Sequence, residues 1–137
     1  MSGDDPLVVR TPVARLLGRR VLEADRTAGV VELAFRATKQ FINRHGYVQG
    51  GMLAAMLDSA VGCAAVAALP GQSVVTLTMN VSFLRAAEAG PMRARGRVVH
   101  RGKSIAFAEA ELRDHTGEVV ATATGTLRIR KGSSPRG

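Results

Sequence analysis

The sequence predicts an α+β domain, in which one long apolar helix precedes a series of antiparallel strands. From Met52 to Leu69 almost every position is apolar, and the strong helix formers Ala, Leu and Met dominate this segment. Apolar and polar residues then alternate with period two over residues 75–83, which is typical of a strand. Further alternating segments follow, separated by turns. A single helix with such strands favours a helix packed on one antiparallel sheet.

Length and cysteine content limit the classes of protein that the chain can belong to. A chain of 137 residues is one domain large enough to bury a core. Its single cysteine, Cys63, has no internal partner, and the N-terminus lacks the features of a signal peptide, so we expect a cytoplasmic protein. We expect a flexible N-terminus at residues 1–10, one domain at 11–130 and a disordered tail at 131–137.

The net charge of +8 favours anionic partners such as phosphorylated molecules. Nucleic-acid binding is disfavoured, because the chain has four Phe, one Tyr and no Trp to stack on bases. A membrane span is disfavoured too, because Asp58 in mid-helix would cost about 2.5–3.5 kcal/mol on insertion scales. We therefore expect neither a nucleic-acid partner nor a membrane.

The elements before the helix follow from turn and strand signals. Residues 11–20 predict a short helical turn. Residues 20–24 and 29–35 predict a hairpin across a turn at 25–29, and residues 38–50 predict a loop. Because the next segment is apolar nearly throughout, we expect that helix to be buried on all sides.

After the helix, the pattern predicts a meander of four strands, at residues 75–83, 92–100, 104–113 and 118–130. The first is expected to place its apolar residues on one face: Val75, Leu77, Met79, Val81 and Phe83. The second places arginines 93, 95 and 97 on one face. Alanine and glycine dominate the inward faces of the last two, so the sheet and the alanine-rich helix can approach closely.

Two features of the helix point to chemistry. Asp58 is its one charge, and a carboxylate in an apolar segment is costly unless it is paired or used. Gly50 and Gly51 stand at the helix start, where backbone N–H groups are free and the helix dipole is positive, which suits a developing oxyanion. The alternatives are a carboxylate satisfied by its neighbours and a glycine pair that only makes a tight turn.

Gly50 and Asp58 of one chain cannot act on the same carbonyl group. They are eight residues apart, which is about 12 Å along a helix, whereas reacting groups must approach to about 3–3.5 Å. Two antiparallel helices across a two-fold axis would bring Gly50 of one subunit to Asp58 of the other. If both residues act together, the protein is a dimer with two shared sites.

The series Asn43, Gly50-Gly51, Leu53, Asp58 and Gly62 resembles the signature of hotdog-fold acyl-CoA thioesterases, in the phenylacetic-acid-degradation (PaaI-type) branch. Residues 75–85, 98–103 and 117–123 resemble later strands of that branch, and the likeness covers about residues 15–130. It implies the hotdog fold, a long central helix wrapped by a curved antiparallel sheet. It also implies homodimers, usually paired into tetramers, with sites at the dimer interface.

The resemblance implies hydrolysis of an acyl-CoA thioester. Gly50 would donate its N–H to the thioester oxygen, while Asp58 of the other subunit would activate water or attack directly. Asn43 would orient the thioester or the water, and Thr76 would hold the water. One departure is clear, because Gln49 stands where the family has a histidine before the glycine pair. Glutamine can hydrogen-bond but cannot carry a proton.

Further residues are candidates for substrate binding. The turn with His100, Arg101 and Lys103 could bind the phosphates of coenzyme A, or it could be a solvated turn. The remaining candidates are Tyr47, Gln49, Gly51 and Arg85. The histidines have no metal-ligand spacing, so we expect no metal and no cofactor beyond the coenzyme A of the substrate.

Three other functions stay open on the sequence. The first is a non-catalytic acyl-CoA binding or sensing protein, which the missing histidine would fit. The second is a hotdog-type dehydratase or hydratase, although those families pair a histidine with an acid on the central helix, and this helix has no histidine. The third is a nucleic-acid binder.

Overall fold

The computed structural model describes residues 5–131, without the side chain of the last residue, so most of the expected tail lies outside the described residues. The elements are α1 (Pro12–Leu16), β1 (Arg20–Asp25), β2 (Val30–Ala37), a 3-10 turn (Lys39–Phe41), α2 (Gly50–Ala68), β3 (Gln72–Phe83), β4 (Gly90–Arg101), β5 (Ile105–Arg113) and β6 (Val119–Lys131). The predicted hairpin, long helix and four later strands are confirmed.

The predicted four-strand meander is wrong in one respect, the place of β3. The six antiparallel strands have the order β1-β2-β4-β5-β6-β3. After the hairpin, α2 crosses the sheet and the chain re-enters at the opposite edge, where β3 pairs with β6, as in Val81 with Ala123. The strands β4, β5 and β6 then fill the space between, and β4 pairs with β2, as in Leu33 with Ala94.

The sheet wraps around α2, which contacts all six strands. Six strands at about 4.8 Å spacing would span about 24 Å if flat, while a helix with its side chains is about 10–12 Å wide. Contact with both edge strands therefore requires the sheet to curve. This is the hotdog arrangement that the resemblance implies.

Small residues set the distance between helix and sheet. At Gly96 on β4, a Cβ atom would lie 2.3 Å from the carbonyl oxygen of Ala60 and 3.3 Å from the Cβ of Ala64. At Gly125 on β6, a Cβ would lie 3.6 Å from Val61, which is ordinary contact. The sheet backbone therefore lies directly on the helix at Gly96, where only glycine fits without a shift.

The expectation that α2 is buried on all sides is wrong. Ten of its 19 residues are buried, but Gly51 and Asp58 are exposed, and Gly62 and Val66 are partly exposed. These four lie at spacings of seven, four and four residues, which places them along one side of the helix. We call these four residues the open stripe. By length and mean hydropathy alone α2 could cross a membrane, but here its apolar residues pack on the sheet.

A β-bulge also breaks the expected alternation of β3. Thr76 pairs with Leu127 and Thr78 pairs with Thr126, so Leu77 is an extra residue. Beyond the bulge, Met79 and Val81 pack against the core as expected. Three residues assigned to the same face are instead exposed: Val75 (45%), Leu77 (51%) and Phe83 (54%).

The N-terminal segment is less loose than expected over residues 5–10. The side chain of Leu7 is only 1% exposed and belongs to the core. Its N–H donates to Oδ1 of Asp5 at 2.9 Å, and the same carboxylate forms an ion pair with Arg26. At the other end, β6 continues through Lys131, one residue beyond the predicted domain boundary.

Candidate active site

Asp58 and Thr76 form one half of the candidate site. The hydroxyl of Thr76 donates to Oδ1 of Asp58 at 2.8 Å. Asp58 lies on the open stripe of α2, and Thr76 lies on β3 next to the bulge. Because β3 is an edge strand, this pair lies where the helix and the sheet are both uncovered. In the single chain Asp58 is therefore an exposed carboxylate rather than a buried one.

The helix start forms the other half. Gln49 has extended backbone angles (φ −57°, ψ 133°) and makes no side-chain cap. Its carbonyl accepts the N–H groups of Met52 and Leu53. In the described part of the chain, the N–H groups of Gly50 and Gly51 have no acceptor, as expected in the first turn of a helix. Both amides are available to an oxyanion.

Phe83 is a neighbour of the site that the sequence did not reveal. A Cβ added at Gly50 would lie 3.3 Å from the Phe83 ring, so the ring covers one side of the Gly50 backbone. The alternating pattern placed Phe83 in the apolar face of a strand, and no sequence signal indicates that the last residue of β3 reaches the helix start.

Asn43 shapes the loop that leads into α2. Its Oδ1 accepts the N–H groups of His45 at 2.9 Å and Tyr47 at 3.3 Å, and its own N–H donates to the carbonyl of Tyr47 at 2.7 Å. The N–H of Val48 donates to the carbonyl of Ala87 and ties the loop to the segment after β3. The side-chain oxygen of Asn43 is thus engaged within the loop, which leaves its NH₂ group for a ligand.

A cavity of about 600 Å³ brings two predicted binding residues together. Tyr47 and Arg85 both line it, with Leu84, His115 and Thr116. Arg85 also forms an ion pair with Glu118 at 3.0 Å. His115 and Thr116 were not predicted, because the sequence shows them only as part of a turn. Asp58 and Thr76 do not line this cavity.

In the turn between β5 and β6, the hydroxyl of Thr116 donates to Oδ1 of Asp114 at 2.6 Å. This hydrogen bond holds the pKa of the Asp114 carboxyl below its usual value. The carboxyl therefore stays ionised at neutral pH, so the cavity carries acidic as well as basic groups.

In the predicted phosphate-binding turn, Arg101 is engaged by backbone carbonyl groups. Nη1 of Arg101 donates to the carbonyl of Ala68 at 3.1 Å, and its Nη2 donates to the carbonyl of Thr27 at 2.9 Å. Arg101 thus caps the C-terminal end of α2, where a cation also suits the helix dipole. His100 lies beside Phe107, with ring centroids 5.8 Å apart, and Lys103 is exposed in the turn. Arg101 therefore has a structural role, and phosphate binding by His100 and Lys103 stays a prediction.

Cys63 on α2 is a further reactive group, but its surroundings do not activate it. Burial raises the pKa of the Cys63 thiol, and this outweighs the opposing effects of Arg19 and a hydrogen bond with Ser59. A buried thiol with a raised pKa is a poor nucleophile. Within residues 5–131, no three His, Cys, Asp or Glu side chains come together as a metal-ligand set.

We call the edge strand β3 and the open stripe of α2 together the open edge. The geometry thus defines a class: a hotdog domain with a carboxylate and free helix-start amides on its open edge. Residues 45–121 match the family model of the thioesterase superfamily. The chain belongs to this superfamily.

Similar proteins agree with this assignment. A phenylacetic acid degradation-related protein of Ralstonia eutropha is 43% identical, with a TM-score of 0.82 over 86% of this chain and 90% of that one. The PaaI protein of E. coli, from the phenylacetic acid degradation operon, is 26% identical, with a TM-score of 0.83 over 90% and 87%. Acyl-coenzyme A thioesterase 13 of Mus musculus is 27% identical over 96 residues, 69% of each chain.

Proposed function

We propose that this protein hydrolyses an acyl-CoA thioester to the free acid and coenzyme A, at a site shared by two antiparallel copies. The observation that carries the proposal is the open edge, where the Asp58–Thr76 pair and the free amide of Gly50 lie about 12 Å apart along one helix. The name of the mouse relative, acyl-coenzyme A thioesterase 13, supports this substrate class. A cytoplasmic location is part of the proposal, in keeping with the one free cysteine.

The open edge supports a dimer. The strand β3 has 12 residues and a partner on one side only, so its other edge presents unpaired backbone groups. A second copy related by a two-fold axis would cover this edge and the open stripe of α2 together. It would also bring Gly50 of one subunit to Asp58 of the other. Pairing of two such dimers into a tetramer is part of the proposal.

The groups at this edge suit ester hydrolysis. Thr76 occupies Oδ1 of Asp58, which leaves Oδ2 to take a proton from water. The water oxygen would attack the thioester carbon, while the N–H of Gly50 donates to the oxyanion. Collapse of this intermediate breaks the C–S bond, and the thiolate of coenzyme A leaves and takes up a proton. Direct attack by Asp58, followed by hydrolysis of the resulting anhydride, is the other route open to the same groups.

The remaining candidates take supporting roles in this proposal. The NH₂ group of Asn43 and the amide of Gln49 would orient the thioester or the water. Tyr47 and Arg85 would contact a distal part of the substrate in the cavity that they share.

One observation favours a second function, acyl-CoA binding without turnover. Gln49, in the position of the family's histidine, is exposed and makes no side-chain hydrogen bond in the described part of the chain. The two functions differ in one measurement. A binding protein would hold CoA esters tightly and release no free thiol.

A panel of CoA esters with aromatic, hydroxy-aromatic and medium-chain acyl groups, assayed by release of free thiol, tests the proposal. We expect Asp58→Asn to lower kcat by about 10²–10⁴-fold, with the oligomer intact by size-exclusion chromatography. The control is Glu109→Gln, which removes a carboxylate on the sheet face that points away from α2. Full activity of Asp58→Asn would refute the role of Asp58.

A further inference from the structure

A groove of about 570 Å³ lies on the face of the sheet that points away from α2. Arg20 on β1 and Arg93 on β4 both pair with Ala34 of β2, and Arg36 lies two residues further along β2. The groove is lined by these three arginines and by Leu22, Ala34 and Pro91, among others. We call it the arginine groove.

In the described part of the chain, the three arginines have no acidic partner, unlike their neighbours on the same sheet face. Arg97 pairs with Glu109, and Arg113 pairs with Glu111. Within residues 5–131, Arg20, Arg36 and Arg93 form no ion pair and no side-chain hydrogen bond, and no carboxylate lines the groove.

Arg93 also borders a neighbouring depression that contains Glu23, Glu32 and Glu111, but it pairs with none of them. Like charges on adjacent strands repel one another. An anion bound between the three unpaired guanidinium groups would relieve this repulsion.

We propose that the arginine groove binds an organic diphosphate, such as a nucleoside diphosphate. Guanidinium groups match phosphate oxygens with paired hydrogen bonds, and three of them can hold two phosphate groups. The apolar floor at Leu22, Ala34 and Pro91 would take the less polar part of the molecule. The volume lies within the range of about 300–1,000 Å³ that is usual for small-molecule sites.

This site is separate from the candidate active site. The arginine groove spans β1, β2 and β4 on the outer face, whereas Asp58 lies on the helix and Thr76 on β3, at the opposite edge of the sheet. The inference does not rest on the proposed hydrolysis, because binding at the groove can be measured without turnover.

The test is calorimetric titration of the 137-residue protein with three ligands in separate experiments: ADP, inorganic pyrophosphate and adenosine. The ionic strength is about 0.15 M, where charges further apart than about 8 Å are largely screened. We expect ADP and pyrophosphate to bind and adenosine to bind far more weakly. Tighter binding of ADP than of pyrophosphate would support use of the apolar floor, whereas equal affinities would show that the phosphates suffice and would overturn that part of the proposal.

Variants locate the site. Each of Arg20→Gln, Arg36→Gln and Arg93→Gln should raise the Kd for ADP at least about tenfold, since each removes charge-assisted hydrogen bonds to the phosphates. The matched control is Arg128→Gln, an exposed arginine on the same face of the sheet but outside the groove. Its Kd should stay within about twofold of wild type, because its charge is screened at this distance. Thermal unfolding checks that each variant is folded.

Three results would overturn the proposal. The first is no binding of ADP or pyrophosphate at millimolar concentration. The second is an equal loss of affinity in Arg128→Gln, which would indicate a diffuse charge effect. The third is displacement of ADP by a short poly-glutamate peptide that binds more tightly, which would make the groove a docking surface for an acidic protein.

Discussion

The amide of Gly50 can be removed with little change to the fold, because the local backbone already suits proline. Gly50 is the first residue of α2, where proline is well tolerated. The preceding residue, Gln49, has a ψ of 133°, within the extended range that a following proline requires. Gly50→Pro therefore removes one N–H group from the candidate oxyanion site. Loss of one such donor costs about 10²–10³-fold in kcat, which is the decrease that we expect.

The matched control for this variant is Gly50→Ala, which adds a side chain but keeps the N–H group. Its Cβ would meet the Phe83 ring at 3.3 Å, and that ring is 54% exposed and can move. A shift that costs less than about 1.4 kcal/mol keeps the loss of rate below about tenfold. Both variants are assayed by thiol release, with thermal unfolding as the check on folding. Equal activities of Gly50→Pro and Gly50→Ala would refute the role of the amide.

Two further predictions concern the helix and its end. Gly96→Ala places a Cβ 2.3 Å from the Ala60 carbonyl oxygen, so it should lower the free energy of unfolding by about 1–3 kcal/mol in a denaturant titration. The control Gly125→Ala makes ordinary contacts and should lower it less. Equal stabilities of the two variants would contradict the packing account. Arg101→Gln removes two hydrogen bonds to carbonyl oxygens and should lower the free energy of unfolding by about 1–3 kcal/mol, with little change in KM for CoA esters. The control Lys103→Gln should change stability little. A rise of KM in Arg101→Gln alone would instead indicate that Arg101 contacts the substrate.

Local patterns predicted the elements, and non-local contacts decided what the sequence could not show. The apolar run from Met52 to Leu69 is long and rich in strong helix formers, so it favours a helix, and alternation favours the later strands. The position of β3 depends on which edge of the sheet the chain reaches after crossing it, which no local signal records. The bulge at Leu77 was hidden because apolar residues keep period two on both sides of it, so the sequence does not show that the face they occupy changes there.

At the candidate site, too, local patterns indicated some residues, while the roles of others depend on contacts distant in sequence. Asp58 and Gly50 could be predicted, because a lone charge and a glycine pair stand out against an apolar helix. Thr76 followed from the resemblance, and its hydrogen bond to Asp58 agrees with that placement. Arg101 was ambiguous, since a guanidinium suits both a phosphate and the carbonyl groups at a helix end. Only the folded chain shows which partners are within its reach.

The central claim, a site built from two chains, is tested most directly by mixing Asp58→Ala and Gly50→Pro subunits. A hybrid dimer would contain one site with both native residues and one site with neither. Random exchange makes about half of the dimers hybrids, so about one site in four is intact. We predict that two nearly inactive proteins recover about a quarter of wild-type activity after exchange, verified by native mass spectrometry. Confirmed exchange without any recovery would contradict the account.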